Sequence, residues 1–237
     1  MEITPDGPQH VLPTEYAANT TVYEYGGLAY APVPGDKLRI IFNDARGKSL
    51  NILDVDEKTI EPIVQSTSLR YADFDCHPDI GDGAVDSAWV LAIEEDHAHP
   101  KPADVKNYVV AINLATKKVK QVLEGADFYS YPRFSPDGRQ VAWLQWDHPG
   151  LPFIGVKLFV GEFDKETASV SDVRHIAGED DDSISEPRWS PDGDLYFCSD
   201  SSGFRQLTRL RDGERERILL PGLENAEFGT DSWNVGW

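Results

Sequence analysis

The chain has 237 residues, 40% of them apolar and 11% aromatic, enough for one large packed domain or two small ones. Its 22 basic and 41 acidic residues leave a formal charge of −19, which opposes binding to nucleic-acid phosphates and anionic membranes and leaves cationic or amine-bearing partners as the compatible ones. Cys76 and Cys198 form no C-x-x-C pair and read as small buried residues, the opening Met1-Glu2-Ile3-Thr4-Pro5 lacks a signal-peptide pattern, and no apolar run reaches a membrane span, so a cytoplasmic location is expected.

Residues 1–27 begin with a turn at Pro5-Asp6-Gly7, followed by Gln9-His10-Val11-Leu12-Pro13, which closely matches Arg217-Ile218-Leu219-Leu220-Pro221. The later segment reads as the fourth strand of a repeat, so the chain is expected to open on the last strand of a unit before reaching Gly26-Gly27. A first full unit, 28–64, has strands near Leu28–Ala31, Leu38–Phe42, Ser49–Leu53 and Ile60–Val64. A second, 70–123, runs through Arg70–Phe74, Ala88–Ile93, Tyr108–Leu114 and Val119–Leu123, with longer loops at Asp79–Asp86 and His97–Asp104.

The third unit, 130–176, carries the most informative stretch. Tyr131–Phe134 is a short strand and Ser135-Pro136-Asp137-Gly138 a tight turn, in which Pro presets φ, Asp bonds the backbone two residues on and Gly takes the positive φ. Val141–Leu144, Val156–Val160 and Val173–Ile176 complete it. The same order returns in the fourth unit, 186–220, where Ser190-Pro191-Asp192-Gly193 stands 55 positions after its counterpart. The second strand of each unit runs into an aspartate, Asp44, Asp96, Asp147 and Asp200, spaced by 52, 51 and 53 positions. Four short strands per unit, a period near 50 residues and no sustained helical spacing predict an all-β fold: a β-propeller of four-stranded antiparallel blades, four complete and with partial terminal strands. Trp233 falls where Phe134 and Trp189 fall, so 226–237 reads as the innermost strand of a further blade, and both ends of a single propeller spanning 1–237 read as incomplete.

The runs GADFYSYPRFSPDGRQVAWLQWDHPGLPF (Gly125 to Phe153), VYEYGGLAY (Val22 to Tyr30), EEDH (Glu94 to His97), EPRWSPDGDLYFCSDSSGF (Glu186 to Phe204) and AEFG (Ala226 to Gly229) together resemble the propeller of prolyl oligopeptidase family serine peptidases, nearest to the dipeptidyl aminopeptidase and acylaminoacyl-peptidase members. That resemblance implies a seven- or eight-bladed propeller that caps an α/β-hydrolase domain and restricts entry to short peptides. The present sequence holds no G-x-S-x-G nucleophile elbow and no alternation of strands with long helices, so none of the family's catalytic residues has a counterpart here and no peptidase activity is expected of this chain alone.

Among candidate sites, His97-Ala98-His99 beside Glu94-Glu95-Asp96 has metal-ligand residue types, but Asp96-His97 recurs as Asp147-His148 at the same point of the next repeat, so hairpin capping accounts for both. No metal and no cofactor are expected. The acidic run Glu179–Asp182 reads as a solvated loop, Trp143, Trp146, Trp189 and Phe134 as inter-blade packing, and Ser135, Ser190 and Ser201 as turn residues rather than nucleophiles. The remaining binding candidates lie on loops that a propeller gathers at one end of its axis: Glu24, Tyr25, Asp96, His97, Asp127, Tyr129, Asp147 and His148. Acidic groups there suit the protonated amine of a peptide. The expected role is a non-catalytic gate packed on a hydrolase domain. The alternative is a free-standing propeller acting as a scaffold or as a small-molecule binding or isomerising pocket. The partners compatible with these readings are a peptide or small-molecule ligand, a hydrolase domain or a second copy of the chain.

Overall fold

The computed structural model describes residues 2–4, 7–82, 89–99 and 101–229. The architecture is all-β. A short hairpin pairs β1 (Glu2–Thr4) with β2 (Gly7–Gln9), and four antiparallel four-stranded sheets follow in chain order. The first contains β3 (Tyr30–Val33), β4 (Arg39–Asp44), β5 (Ser49–Asp54) and β6 (Thr59–Gln65); the second β7 (Leu69–Cys76), β8 (Trp89–Asp96), β9 (Lys106–Asn113) and β10 (Val119–Leu123). The third holds β11 (Phe128–Phe134), β12 (Gln140–Trp146), β13 (Lys157–Asp164) and β14 (Ser169–Ala177), and the fourth β15 (Ile184–Trp189), β16 (Leu195–Ser199), β17 (Gln206–Arg211) and β18 (Glu214–Arg217). Each sheet is a meander, and the leading strands β3, β7, β11 and β15 pack side by side in that order. These are propeller blades.

Sheets stacked this way are covered on both faces, which explains why their middle strands are apolar without alternation. In β8, Val90 and Ala92 pack with Ile41, Leu50 and Tyr71 between the first and second sheets, while Leu91 and Ile93 turn the other way, into a cluster with Val141 and Trp143 between the second and third. A further cluster of Tyr131, Leu144, Leu158, Leu195 and Phe197 fills the space between the third and fourth. Trp143 is only 1% exposed, and full burial of so large a side chain stabilises the fold by roughly 2–3 kcal/mol.

The Ser-Pro-Asp-Gly turns close as their chemistry requires. Gly138 N donates to Ser135 O (2.9 Å) and Gly193 N to Ser190 O (3.0 Å), with both glycines at positive φ. Ser135 Oγ donates to Asp137 Oδ1 (2.7 Å) and accepts from Gln140 N (2.9 Å), so this hydroxyl is a turn cap.

One recurring device has no signature in the residue types. The leading strands of the second, third and fourth sheets each carry a register shift, and inside it a non-glycine residue in the left-handed region: Asp73 (φ 58°), Tyr131 (φ 51°) and Glu186 (φ 52°). These bulges stitch neighbouring blades together. Asp73 N donates to Leu28 O (2.9 Å), Tyr131 N to Asp73 Oδ2 (2.7 Å), and Tyr131 Oη to Glu186 Oε1 (3.0 Å). Arg133 is buried against Asp73 at 2.6 Å. Burial acts to lower the Arg133 pKa, but the charges of Asp73 and Asp75 outweigh it and raise the pKa, so the guanidinium stays charged.

Two expectations at the ends need correction. Segments 9–13 and 217–221 do not form outermost strands along their length: each begins on the last residue of a strand, Gln9 or Arg217, and in the later one the pairing runs out after Ile218 N donates to Leu207 O (2.8 Å). The last strand of the fourth sheet is Glu214–Arg217, set by the tight turn at Asp212-Gly213, both at positive φ. After β2, residues 10–16 run as a strap, with Val11, Leu12 and Tyr16 covering Phe42, Leu53 and Val55 on the first sheet, and residues 17–19 then pair briefly with the end of β4 through an antiparallel bridge between Ala18 and Asp44. The strand expected around Trp233 lies outside the described residues, as do parts of the two long loops of the second unit.

Candidate functional site

At one end of the propeller the turn Val22–Glu24, the strands β7, β8, β9, β11 and β12, and the loop after β12 enclose a cleft of about 950 Å3. Five of the eight sequence candidates line it: Glu24, Tyr25, His97, Asp127 and His148. The other three do not. Asp96 caps its own turn through Ala98 N (2.8 Å), and Asp147 Oδ1 accepts the backbone N–H of Asp127 (2.8 Å). Tyr129 is buried, with its hydroxyl accepting from Ala126 N (3.0 Å) and its backbone N–H donating to Tyr23 Oη (3.0 Å).

Three of the four aspartates at the ends of the second strands share one job, and Asp96 is the exception. Asp147 holds the residue before β11, Asp200 holds Ser183 N, the residue before β15, at 2.7 Å, and Asp44 holds Ala17 N at 2.8 Å. Each of these carboxylates clamps the start of a crossing segment to the end of a second strand.

The wall on the first-blade side is a strained turn. Tyr23 (φ 55°) and Glu24 (φ 66°) are consecutive non-glycine residues in the left-handed region, which costs about 1–2 kcal/mol each. What holds them is a set of directed bonds. Tyr23 N donates to Glu95 Oε1 (3.0 Å), and Tyr23 Oη donates to Tyr129 O (2.8 Å). Burial pushes the Tyr23 phenol well above its ordinary pKa, which keeps that proton in place. Arg70 Nη1 donates to Thr21 O (2.8 Å), Glu24 Oε1 (3.0 Å) and Glu95 Oε2 (3.2 Å). The outcome is a Glu24 carboxylate at the cleft mouth, its side chain 75% exposed, above a Glu95 carboxylate whose side chain is 5% exposed.

The second and third blades each contribute an imidazole beside a carboxylate. His97 Nε2 lies 2.8 Å from Glu95 Oε2, and His148 Nδ1 lies 3.0 Å from Asp127 Oδ2. Asp127 Oδ2 also accepts the backbone N–H of His148 (2.9 Å), and that bond, with the side-chain bond behind it, holds the Asp127 carboxyl below its usual range. The floor is aromatic: Phe128 stacks on Trp146 at 5.3 Å, Tyr23 meets both edge-on, and His148 tilts over Phe128 at 4.8 Å. Asn107 donates to Asp127 O (2.7 Å), while its buried Oδ1 has no partner among the described residues. Pro149 (after a cis peptide bond), Leu151 and Pro152 form the outer lip. Such a cleft offers carboxylates to a cation and a flat apolar shelf beside them. Among the described residues no group of three or more His, Cys, Asp or Glu is placed to hold a metal ion.

Arg70, Asn107 and Phe128 escape sequence reasoning because they sit in strands, and Glu95 and Trp146 read from the sequence as part of a metal-type cluster and as inter-blade packing, not as cleft residues. Trp143 and Phe134 are buried between the second and third sheets, and Trp189 packs against the cluster between the third and fourth. Trp146 joins the cluster between the third and fourth sheets too, and also reaches the cleft.

No family model matches the sequence. A puromycin-hydrolysing peptidase of Mycobacterium tuberculosis superposes with a TM-score of 0.80 at 26% identity, over 95% of this chain and 35% of the peptidase. A puromycin hydrolase superposes at 0.82, also at 26% identity, over 97% of this chain and 36% of its own. The chain resembles the propeller portion of prolyl oligopeptidase family peptidases. Dipeptidyl-peptidase 5 of Porphyromonas gingivalis is 26% identical over 120 residues, which is 49% of this propeller and 17% of the relative. The propeller thus spans about a third of the solved peptidases and a smaller share of the curated relative. No helix among its described residues is long and apolar enough to cross a membrane.

Proposed function

We propose that this propeller serves a serine peptidase as its non-catalytic gate, packing on a hydrolase domain and receiving in its cleft the amine-bearing end of a short peptide or aminoacyl compound. The observation that carries the reading is the likeness to puromycin-hydrolysing peptidases over nearly the whole chain. The chemistry of the cleft supports it: Glu24, Glu95 and Asp127 lie around an aromatic floor, so a primary ammonium finds carboxylates while its neighbouring side chain finds Phe128 and Trp146. A net charge of −19 steers such cations toward the protein at distances beyond contact.

The test is made on the protein in its native setting. Material isolated with an antibody against this chain is treated with a fluorophosphonate that labels active serine hydrolases. The proposal requires a labelled serine hydrolase on the same polypeptide or tightly bound to it, and turnover of puromycin or of dipeptide naphthylamides. Native material with no label and no turnover overturns it.

A further inference from the structure

The arginine in the cleft is over-committed, and the way it is over-committed suggests a role. A guanidinium Nη carries two hydrogens, yet Arg70 Nη1 faces three acceptors: Thr21 O at 2.8 Å, Glu24 Oε1 at 3.0 Å and Glu95 Oε2 at 3.2 Å. The two carboxylates are not equivalent. Glu95 is buried, and leaving it without a cation strands a charge away from water. Glu24 reaches into solvent, so losing its cation leaves nothing buried and unpaired. Glu95 also keeps the Tyr23 N–H and the His97 imidazole. The Arg70 to Glu24 bond is therefore the one that gives way.

We propose that Arg70 is a resident stand-in for the cationic group of the ligand. Its guanidinium occupies Glu24 in the empty cleft and yields it to an incoming primary ammonium, retreating onto Glu95 and Thr21 O, so Arg70 sets how tightly the cleft takes amines. This rests on the amine-binding reading above and goes beyond it by assigning Arg70 as an affinity-setting residue. An internal competitor weakens binding of every cation by a similar factor and leaves the ratio between two amines unchanged. It raises the threshold for occupancy, so at a given concentration an amine that also lays a flat group on Phe128 and Trp146 stays bound where a bare ammonium ion does not.

The measurement is calorimetric titration of the purified chain with L-phenylalaninamide, using N-acetyl-L-phenylalaninamide as the uncharged control. Arg70→Met frees Glu24, and the amine is expected to bind about fivefold tighter than to the native chain, the scale of a half-exposed ion pair. The acetylated control is expected to bind both proteins alike, and the gain is expected to vanish in Arg70→Met combined with Glu24→Gln. Arg70→Lys, whose side chain is one atom shorter and holds its charge back from the position of Nη1, is expected to give about a twofold gain and decides the matter if Arg70→Met does not fold. Arg70→Met is expected to lower the melting temperature in either case, because Glu95 loses its cation. A purely structural Arg70 gives weaker binding as well, and unchanged or weaker affinity in both variants overturns the inference. If the native chain binds the amine and Glu24→Gln weakens that binding, failure of the Arg70 variants overturns this inference alone. If the amine does not bind the native chain, or Glu24→Gln binds it equally well, the amine-binding reading falls as well.

Discussion

The two Ser-Pro-Asp-Gly turns provide an internally controlled experiment. Gly138 and Gly193 both have positive φ, 70° and 89°, so alanine at either position meets the same backbone penalty of about 1–2 kcal/mol. Their surroundings differ. A Cβ on Gly193 meets nothing within 4 Å, whereas a Cβ on Gly138 lies 2.2 Å from His77 Nε2 and 2.4 Å from its Cε1. The His77 ring cannot step aside, since it is 2% exposed and wedged against Phe134 at 4.9 Å and Phe163 at 6.1 Å. Its Nδ1 accepts the N–H of Asp79 (3.2 Å), so Nε2 carries the proton and donates to Gly138 O (3.2 Å). Overpacking of about 1–3 kcal/mol and loss of that hydrogen bond, about 1 kcal/mol, add to the backbone cost. Gly138→Ala is therefore expected to lose about 3–6 kcal/mol and Gly193→Ala about 1–2. For a chain of this size a gap of about 2–4 kcal/mol separates the melting temperatures by about 4–16 °C. Urea titration followed by tryptophan fluorescence measures the difference, and repeating both substitutions in a His77→Ala background should bring the Gly138 loss down to the Gly193 value. Equal losses in the native background would refute the reasoning.

Trp143→Ala empties the space between the second and third sheets and is expected to cost about 3–5 kcal/mol by chemical denaturation. Glu95→Ala removes the acceptor shared by Tyr23 N, Arg70 and His97; since Arg70 keeps some contact with water, a loss of about 2 kcal/mol is expected, with faster amide exchange at Tyr23 as the local readout. Burial lowers the His77 pKa, so the unfolded chain binds the proton first, and the stability that rests on the neutral ring declines as pH falls below about 6.5, the ordinary imidazole value. His77→Phe should flatten that limb of the stability profile. Asp75 has the opposite sign: burial, only partly offset by Arg133, pushes its carboxyl up to about 6, so the folded state binds more protons than the unfolded one between pH ~4 and that value. Its contribution is present at low pH and lost as pH rises through about 6, and Asp75→Asn should remove this slope in pH-dependent melts.

The blades were legible because two periods agree in the residues: apolar runs such as Val90–Ile93 and Val141–Leu144 recur with the turn chemistry of Ser135–Gly138 and Ser190–Gly193. The bulges were not, because Tyr131 and Glu186 are not residue types that favour positive φ, and Asp73, of a type that does, sits in an apolar run with no turn signal beside it; the packing of neighbouring blades imposes the conformation. The opening segment was misplaced for a related reason. The likeness of 9–13 to 217–221 is real, but in both places the apolar residues follow the strand instead of forming it. At the cleft, knowing which loops gather at one end was enough to pick out Glu24, Tyr25, His97, Asp127 and His148. Arg70, Phe128 and Trp146 read as ordinary sheet positions, and only the turn of chain at 22–24 brings them to a common space.

The carboxylate clamps of Asp147 and Asp200 have a consequence for how such a molecule diversifies. Each pins the root of a leading strand to the end of its neighbour in the same sheet, upstream of the segments 148–155 and 201–205. What lies between the clamp and the next strand stays outside the strand ladders, tied in by single contacts such as His148 to Asp127 and Ser183 Oγ to Pro152 O (2.7 Å). Lip segments of new length or composition can be grafted there, and ligand preference exchanged, while the sheets beneath keep their register.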